Sequence, residues 1–485
     1  MKKIWLCIAV AVLTSGISGA EGLRKSVTWE KICAKPAPLP VSGKVKHVKS
    51  DLERASLWSV GSETLDRDFA IFDNYIGYMG ETGVGYARLQ SGWAKTEKKK
   101  GKYDFEWLDH QVDGLIGEGI HPWLCLCYGN PVYADTGHDL NAGIFPDGPI
   151  MDGWLKYVRQ VVRRYKGKVT MYEVWNEPDG AKPANGVKGE SWREYSNLFV
   201  RTAKVIREED PDVKIAALAA FSFSNGYFKN SLEEIQRLGG IPYTDYVTYH
   251  AYWSIPERIV KRVEELQALC NSIDPRIKVL QGESGCPAQL EYGHAMHSIE
   301  WTEYSQAKWD LRHMMINFSL GCPSSVFTMV DLNYGWMLQS YGLIRMNLKS
   351  QPQYKRPKFY AVQNVTGIFT PEMSVDKDVR LSSCNCDVPM YVFGVKKNGN
   401  TAGTVLWQCG QKPSDSLERN LVDISLDGIR LSDPVYVDML TGYVHELPKD
   451  NVKVTDKGTS IRLLPLWDCP VLIIERDMID YTDEK

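Results

Sequence analysis

Two glutamates in this 485-residue chain stand where a carboxyl group can do chemistry. Glu177 lies in Tyr172-Glu173-Val174-Trp175-Asn176-Glu177-Pro178-Asp179, where alternating polar and apolar residues read as a strand that turns at Pro178. Asn176 and Glu177 are left at its C-terminal end. Glu283 occupies a similar place in Val279-Leu280-Gln281-Gly282-Glu283-Ser284-Gly285. A carboxyl group with a hydrogen-bonding neighbour suits acid catalysis on a glycosidic bond, and a second carboxyl completes the pair that such chemistry uses. Two carboxyls close together also push their pKa values apart, so that one keeps its proton while the other is ionised. A lone glutamate at a strand end is more often a helix cap or an arginine partner; the coincidence of two points to a site.

The elements that must hold these residues alternate regularly. Strands are expected at 56–61, 84–90, 121–127, 169–175, 214–219, 246–250, 278–281 and 324–330, and helices at 65–82, 105–118, 151–165, 191–208, 228–238, 256–271, 299–319 and 357–369. Eight strands, each followed by a helix, predict an α/β fold with a (β/α)8 barrel over residues 56–371. An open doubly wound sheet would want a Gly-rich phosphate turn after its first strand, and Gly61-Ser62-Glu63 is not one. Glu177 then ends the fourth strand and Glu283 the seventh, across the barrel mouth from each other. A carboxyl separation of ~5 to 5.5 Å there makes a retaining enzyme. Beyond residue 372 short β-branched runs separated by turns, such as Lys397-Asn398-Gly399-Asn400, predict an antiparallel β-sandwich over 372–485.

At the other end, Lys2 and Lys3 precede the apolar run Ile4 to Leu13, and small residues follow to Ala20. Residues 1–20 are expected to be a cleaved signal peptide, and the protein secreted or periplasmic. No later apolar run reaches the ~18 residues of a spanning helix, so no membrane insertion is expected. Residues 21–55, with Pro36, Pro38 and Pro40, read as an extended segment, either a linker or one packed on the C-terminal domain. The net charge of -3 gives no basic face for a nucleic acid. Fifteen Trp and twenty-five Tyr suit a protein that stacks sugar rings, although large cores use aromatics as well. Cys125 and Cys127, and again Cys384 and Cys386, are two apart rather than in the CxxC spacing of a zinc site, and read as core-filling thiols.

The motifs Trp175-Asn176-Glu177-Pro178 and Gly282-Glu283-Ser284-Gly285 resemble the acid/base and nucleophile motifs of clan A glycoside hydrolases, nearest to family 39, with families 5 and 30 as further relatives. The resemblance spans about residues 55 to 370. It implies that Glu177 is the acid/base, Glu283 the nucleophile, and Asn176 the partner of the sugar's 2-hydroxyl. Arg88 matches the arginine that orients the nucleophile; independently, an arginine entering a barrel mouth needs an anionic partner. His250 and Tyr252 match a sixth-strand pair in which the tyrosine touches the nucleophile and the histidine lines the site; a core histidine is the competing reading of His250. Tyr128 and Asn130 follow strand three and are expected to shape a subsite. Trp93, Trp253 and Trp336 follow strands two, six and eight, as stacking platforms or as packing. Strand eight departs from the clan pattern: Phe327-Thr328-Met329-Val330-Asp331 has no tryptophan at its end, and Asp331 reads as a loop cap or a hydroxyl contact.

The function these readings imply is a retaining glycoside hydrolase that needs no cofactor and acts on an oligo- or polysaccharide. Two alternatives stand beside it. A carbohydrate-binding protein without catalysis would keep the aromatics but need not keep both carboxyls. A metal-dependent hydrolase would use His294 and His297 on one helical face, without the usual zinc spacing.

Overall fold

The computed structural model describes residues 23–483, apart from 55, 57, 134–147, 181–190 and 224. The expected signal peptide lies outside the described residues. Eight parallel strands close into a barrel: β1 (Trp58–Gly61), β2 (Tyr86–Gln90), β3 (His121–Leu126), β4 (Met171–Val174), β5 (Lys214–Ala220), β6 (Tyr246–His250), β7 (Lys278–Ser284) and β8 (Ser324–Val326), with β8 pairing back onto β1. The strands are buried almost throughout because helices cover the outside and side chains fill the inside.

The expected helices form close to their expected bounds with one exception. The 65–82 stretch, expected as a single helix, is broken into the short turns Leu65–Arg67, Phe72–Asn74, Ile76–Met79 and Gly80–Thr82. Thr64 and Asp68 flank the first of these in the left-handed region, at φ 71° and 60°. Asp and Asn are poor helix formers, and here their side chains are engaged away from the local backbone, Asp68 with Lys95, Asp73 with His110 and Asn74 with the Ser350 carbonyl.

Inside the barrel two layers differ in chemistry. Trp123, Met171, Ala216 and Leu280 form an apolar layer towards the N-terminal ends of the strands. Above it come Arg88 and Glu173, both fully buried, with the Arg88 guanidinium 5.7 Å from the centre of the Trp123 ring.

The C-terminal part contains two antiparallel sheets, as expected. One has eight strands, the other four. The eight-stranded sheet includes Val41–Val45, which pairs with Tyr443–Glu446 and Tyr481–Asp483. The segment read as extended therefore contributes a strand to this sheet, and it also carries a helix, Val27–Cys33, capped by the Ser26 side chain. A continuous core joins barrel and sandwich, with Phe318 packing on Phe369 at 4.7 Å and on Phe393 at 6.1 Å. Lys308 reaches from its barrel helix to Asp468 at 2.6 Å. The ten described cysteines are free thiols; Cys125 and Cys127 Sγ stand 3.8 Å apart. Among the described residues no helix is long and apolar enough to cross a membrane.

Candidate active site

The C-terminal ends of the barrel strands open onto a cavity of about 740 Å³, and both Glu177 and Glu283 line it. β4 ends at Val174, and the next residues turn sharply: Trp175 and Glu177 have φ of 69° and 51°. Left-handed backbone at two non-glycine residues so close together is strained, and such strain concentrates at functional sites. The turn is held by hydrogen bonds from the Trp175 amide to the Leu126 carbonyl and from the Glu177 amide to the Ala219 carbonyl. β7 delivers Glu283 beside His250 of β6, across a register shift in that pair. Gly282 makes this approach possible, since a Cβ there would stand 3.3 Å from Glu173 Oε1 and 3.4 Å from His250 Nε2.

Arg88 is the hub. Its guanidinium donates to Glu283 Oε2 at 2.9 Å, to Asn176 Oδ1 at 2.8 Å and to Glu173 Oε2 at 2.7 Å, and more weakly to Glu63 Oε1 at 3.4 Å. Tyr252 donates its hydroxyl to the other Glu283 oxygen at 2.6 Å. His250 Nδ1 lies 3.0 Å from Glu177 Oε1 and 3.9 Å from Glu283 Oε2. One oxygen from each carboxylate and one ring nitrogen of His250 all fall within 4.8 Å of one another. Thr248 completes the packing by donating to Glu173 Oε1 at 2.5 Å.

The electrostatics follow from burial and from the crowding of carboxylates. Burial pushes the Glu177 carboxyl up to about 7; the charge of Asp179 adds to this and Arg88 opposes it. Glu63 rises to about 8, mainly by burial and further by the nearby Glu283, against the pull of Arg88. Burial lowers His250 below the usual imidazole value, so the ring is neutral near pH 7. Tyr252 is raised by burial and by Glu283, and remains a hydroxyl donor.

The expected residues divide. Asn176, Tyr128, Tyr252 and Trp253 line the cavity. Arg88 and His250 lie fully buried behind its wall, in contact with the two glutamates. Trp93 and Asn130 are not at the site. Trp93 is fully buried, packs on Tyr133, Trp154 and Tyr157, and donates its indole N–H to Glu97 at 2.6 Å. Asn130 donates to the backbone carbonyls of Trp93 and Glu97, tying the loop to the core. Trp336 stands at the rim, 68% exposed. Asp331 caps the loop after β8, accepting from the Gly342 and Met346 amides and from Arg356. His294 and His297 lie in a turn rather than on a helical face. The triple of acids and histidine found among the described residues is Glu177, His250 and Glu283, not one that includes His294.

Sequence reasoning missed Glu63 and Glu173, and with them Arg67 and Gln90 of the cavity wall. Glu173 had a signal: a charged residue inside a strand closed on both faces, with Arg88 inside another, requires that the two meet. Glu63 had only its position two residues beyond a strand end.

Residues 87–272 match the family model of glycosyl hydrolases family 39, a stretch that contains Arg88, Asn176, Glu177, His250 and Tyr252. No curated protein matches the chain. Among solved structures, a family 39 glycoside hydrolase from the gut symbiont Bacteroides cellulosilyticus WH2 is similar at TM-score 0.61 and 16% identity, over 89% of this chain and 83% of that one. A monomeric beta-xylosidase from Caulobacter crescentus CB15 follows at 0.55 and 17%, over 88% and 99%. The catalytic domain of a family 30 xylanase C from Talaromyces cellulolyticus gives 0.54 and 12%, over 90% and 98%. At such identities these three speak for the shared fold.

Proposed function

We propose that this protein, a glycoside hydrolase by its family match, is a retaining enzyme that works by double displacement on a β-linked oligo- or polysaccharide. The observation that carries the reading is the closeness of the two carboxylates, whose facing oxygens lie within 4.8 Å. Retaining enzymes set their carboxyls ~5 to 5.5 Å apart, whereas inverting ones leave ~6.5 to 9.5 Å for a water.

Each residue then has a task. Glu283, held by Arg88 and Tyr252, attacks the anomeric carbon as the carboxylate. The bond to the leaving oxygen breaks as that oxygen takes the proton of Glu177, whose raised pKa keeps it protonated near neutrality. In the second half, Glu177 accepts a proton from water as the water oxygen attacks the same carbon, and Glu283 leaves as a carboxylate. Neutral His250 fixes the Glu177 carboxyl without taking its proton, and Arg88 orients Asn176 towards the 2-hydroxyl. With residues 1–20 acting as an export signal, the work is done outside the cytoplasm.

A panel of chromogenic β-glycosides, beginning with xylosides because two similar structures are named beta-xylosidase and xylanase, tests this. Proton NMR of the first-formed sugar should show the anomeric configuration of the substrate. An inverted product overturns the double displacement. Sugar binding without any turnover would favour the non-catalytic alternative.

A further inference from the structure

One wall of the cavity continues out of it as a chain of aromatic contacts. Trp175, next to Asn176, meets Tyr128 edge-on at 6.0 Å. The Arg67 guanidinium lies 5.2 Å from the Tyr128 ring and 5.3 Å from that of Phe69. Phe69 packs on Tyr334 at 4.4 Å, Tyr334 on His294 at 4.4 Å, and His294 stacks on Trp336 at 5.7 Å with 19° between the planes. Arg67, Tyr128, Tyr334 and His294 all line the cavity, so the ladder runs from the turn that carries Glu177 to an indole that is 68% exposed.

That outermost ring is placed rather than loose. Its hairpin pairs Leu332–Asn333 with Leu338–Gln339. The facing loop brings Gly293 against the indole so closely that a Cβ there would come within 3.0 Å of it. His294 supports the ring from a left-handed backbone at φ 67°, and Met296 and Ser298 in the same loop have φ of 55° and 60°. A chain that adopts three such conformations to hold an imidazole under an exposed indole presents a flat apolar surface at little entropic cost.

We propose that the free face of Trp336 is an outer subsite that stacks a pyranose ring of the substrate chain beyond the pair of sugars joined by the scissile bond. The inference rests on the glycosidase reading above and deepens it, since it assigns a contact for a sugar beyond the cleaved bond and so a preference for longer chains. The occupant follows from continuity with the cavity: its 740 Å³ exceed what one sugar ring fills, and the ladder leads from it to Trp336. The apolar faces of pyranose rings match flat aromatic surfaces.

The test uses the chromogenic monoglycoside that the enzyme cleaves best, together with the di- and tetrasaccharide of the same sugar and linkage. In the native enzyme kcat/KM should rise from disaccharide to tetrasaccharide. Trp336→Ala should lower the tetrasaccharide-to-monoglycoside ratio of kcat/KM about tenfold, and Trp336→Phe should restore most of it. Tyr292→Ala, at a side chain 84% exposed but outside the ladder, serves as the control and should leave the ratio as it was. A native enzyme indifferent to chain length, or a ratio unchanged in Trp336→Ala, overturns the subsite. Absence of turnover on every glycoside overturns the glycosidase reading instead, so the two failures are distinct.

Discussion

Arg88 in the barrel and Arg419 in the sandwich are both buried guanidinium groups, and they differ in the balance of charge around them. Arg419 has one acid, Asp438 at 2.6 Å; it also donates to the Lys35 and Leu417 carbonyls, and its flat face covers Trp467 at 4.1 Å. One cation meets one anion, and the pair is architecture. Arg88 stands within 3.4 Å of three carboxyl groups, those of Glu63, Glu173 and Glu283, with Glu177 close behind. One cation stands among that many acids, and burial raises Glu63 and Glu177 to about 8 and about 7, with the charge of Glu283 adding to the first and that of Asp179 to the second against the pull of Arg88. Buried charge by itself therefore says little about activity; an excess of one sign, kept near a cavity, says much more.

The comparison breaks or sharpens under substitution. The largest effect is expected at Glu283→Ala, where removal of the proposed nucleophile should lower kcat by at least about 10⁴-fold. Glu177→Ala should cost roughly 10²- to 10⁴-fold on poor leaving groups and least on good ones that need little protonation. Turnover unaffected in either variant would remove both residues from the mechanism. Next come the two arginines. Arg88→Met and Arg419→Met each leave buried acid without its cation and should each cost about 3 to 5 kcal/mol of stability, read by denaturant unfolding. Only Arg88→Met should also lower kcat of the folded enzyme, by tenfold or more. Equal loss of kcat in both variants would mean that the charge imbalance has no part in catalysis.

The smallest effect is a pH profile. Glu177 must carry its proton to act as the acid, and burial holds that proton up to about pH 7, so kcat/KM should fall as pH rises through that value. Glu177→Gln should lack this limb. A limb at the ordinary carboxylate range near pH 4.5 would show that the site leaves Glu177 unperturbed.

Much of the site was legible because its signals are local. A strand that ends in Asn176-Glu177-Pro178 announces its own turn, and eight alternations of period predict the barrel without any knowledge of contacts. The 65–82 stretch misled because its apolar spacing is helical while its Asp and Asn residues favour turns, and the turns prevailed. Trp93 and Asn130 misled for a different reason. Both follow strands at the correct end, but Trp93 packs inward on Trp154 while Trp336 faces out, and nothing adjacent to either in the chain distinguishes them. The turn around His294 likewise became visible only when its ring was seen to lie on Tyr334 rather than beside His297.

By itself, then, the amino-acid sequence determined the order of the elements and which residues fall at strand ends, because period and turn chemistry act over a few neighbours. Closure of the barrel decided the rest. It brought Glu63 and Glu173 to Arg88, sent Trp93 into the core, and set His250 against Glu177, because which face of a strand or loop looks inward is chosen by contacts made across the whole chain.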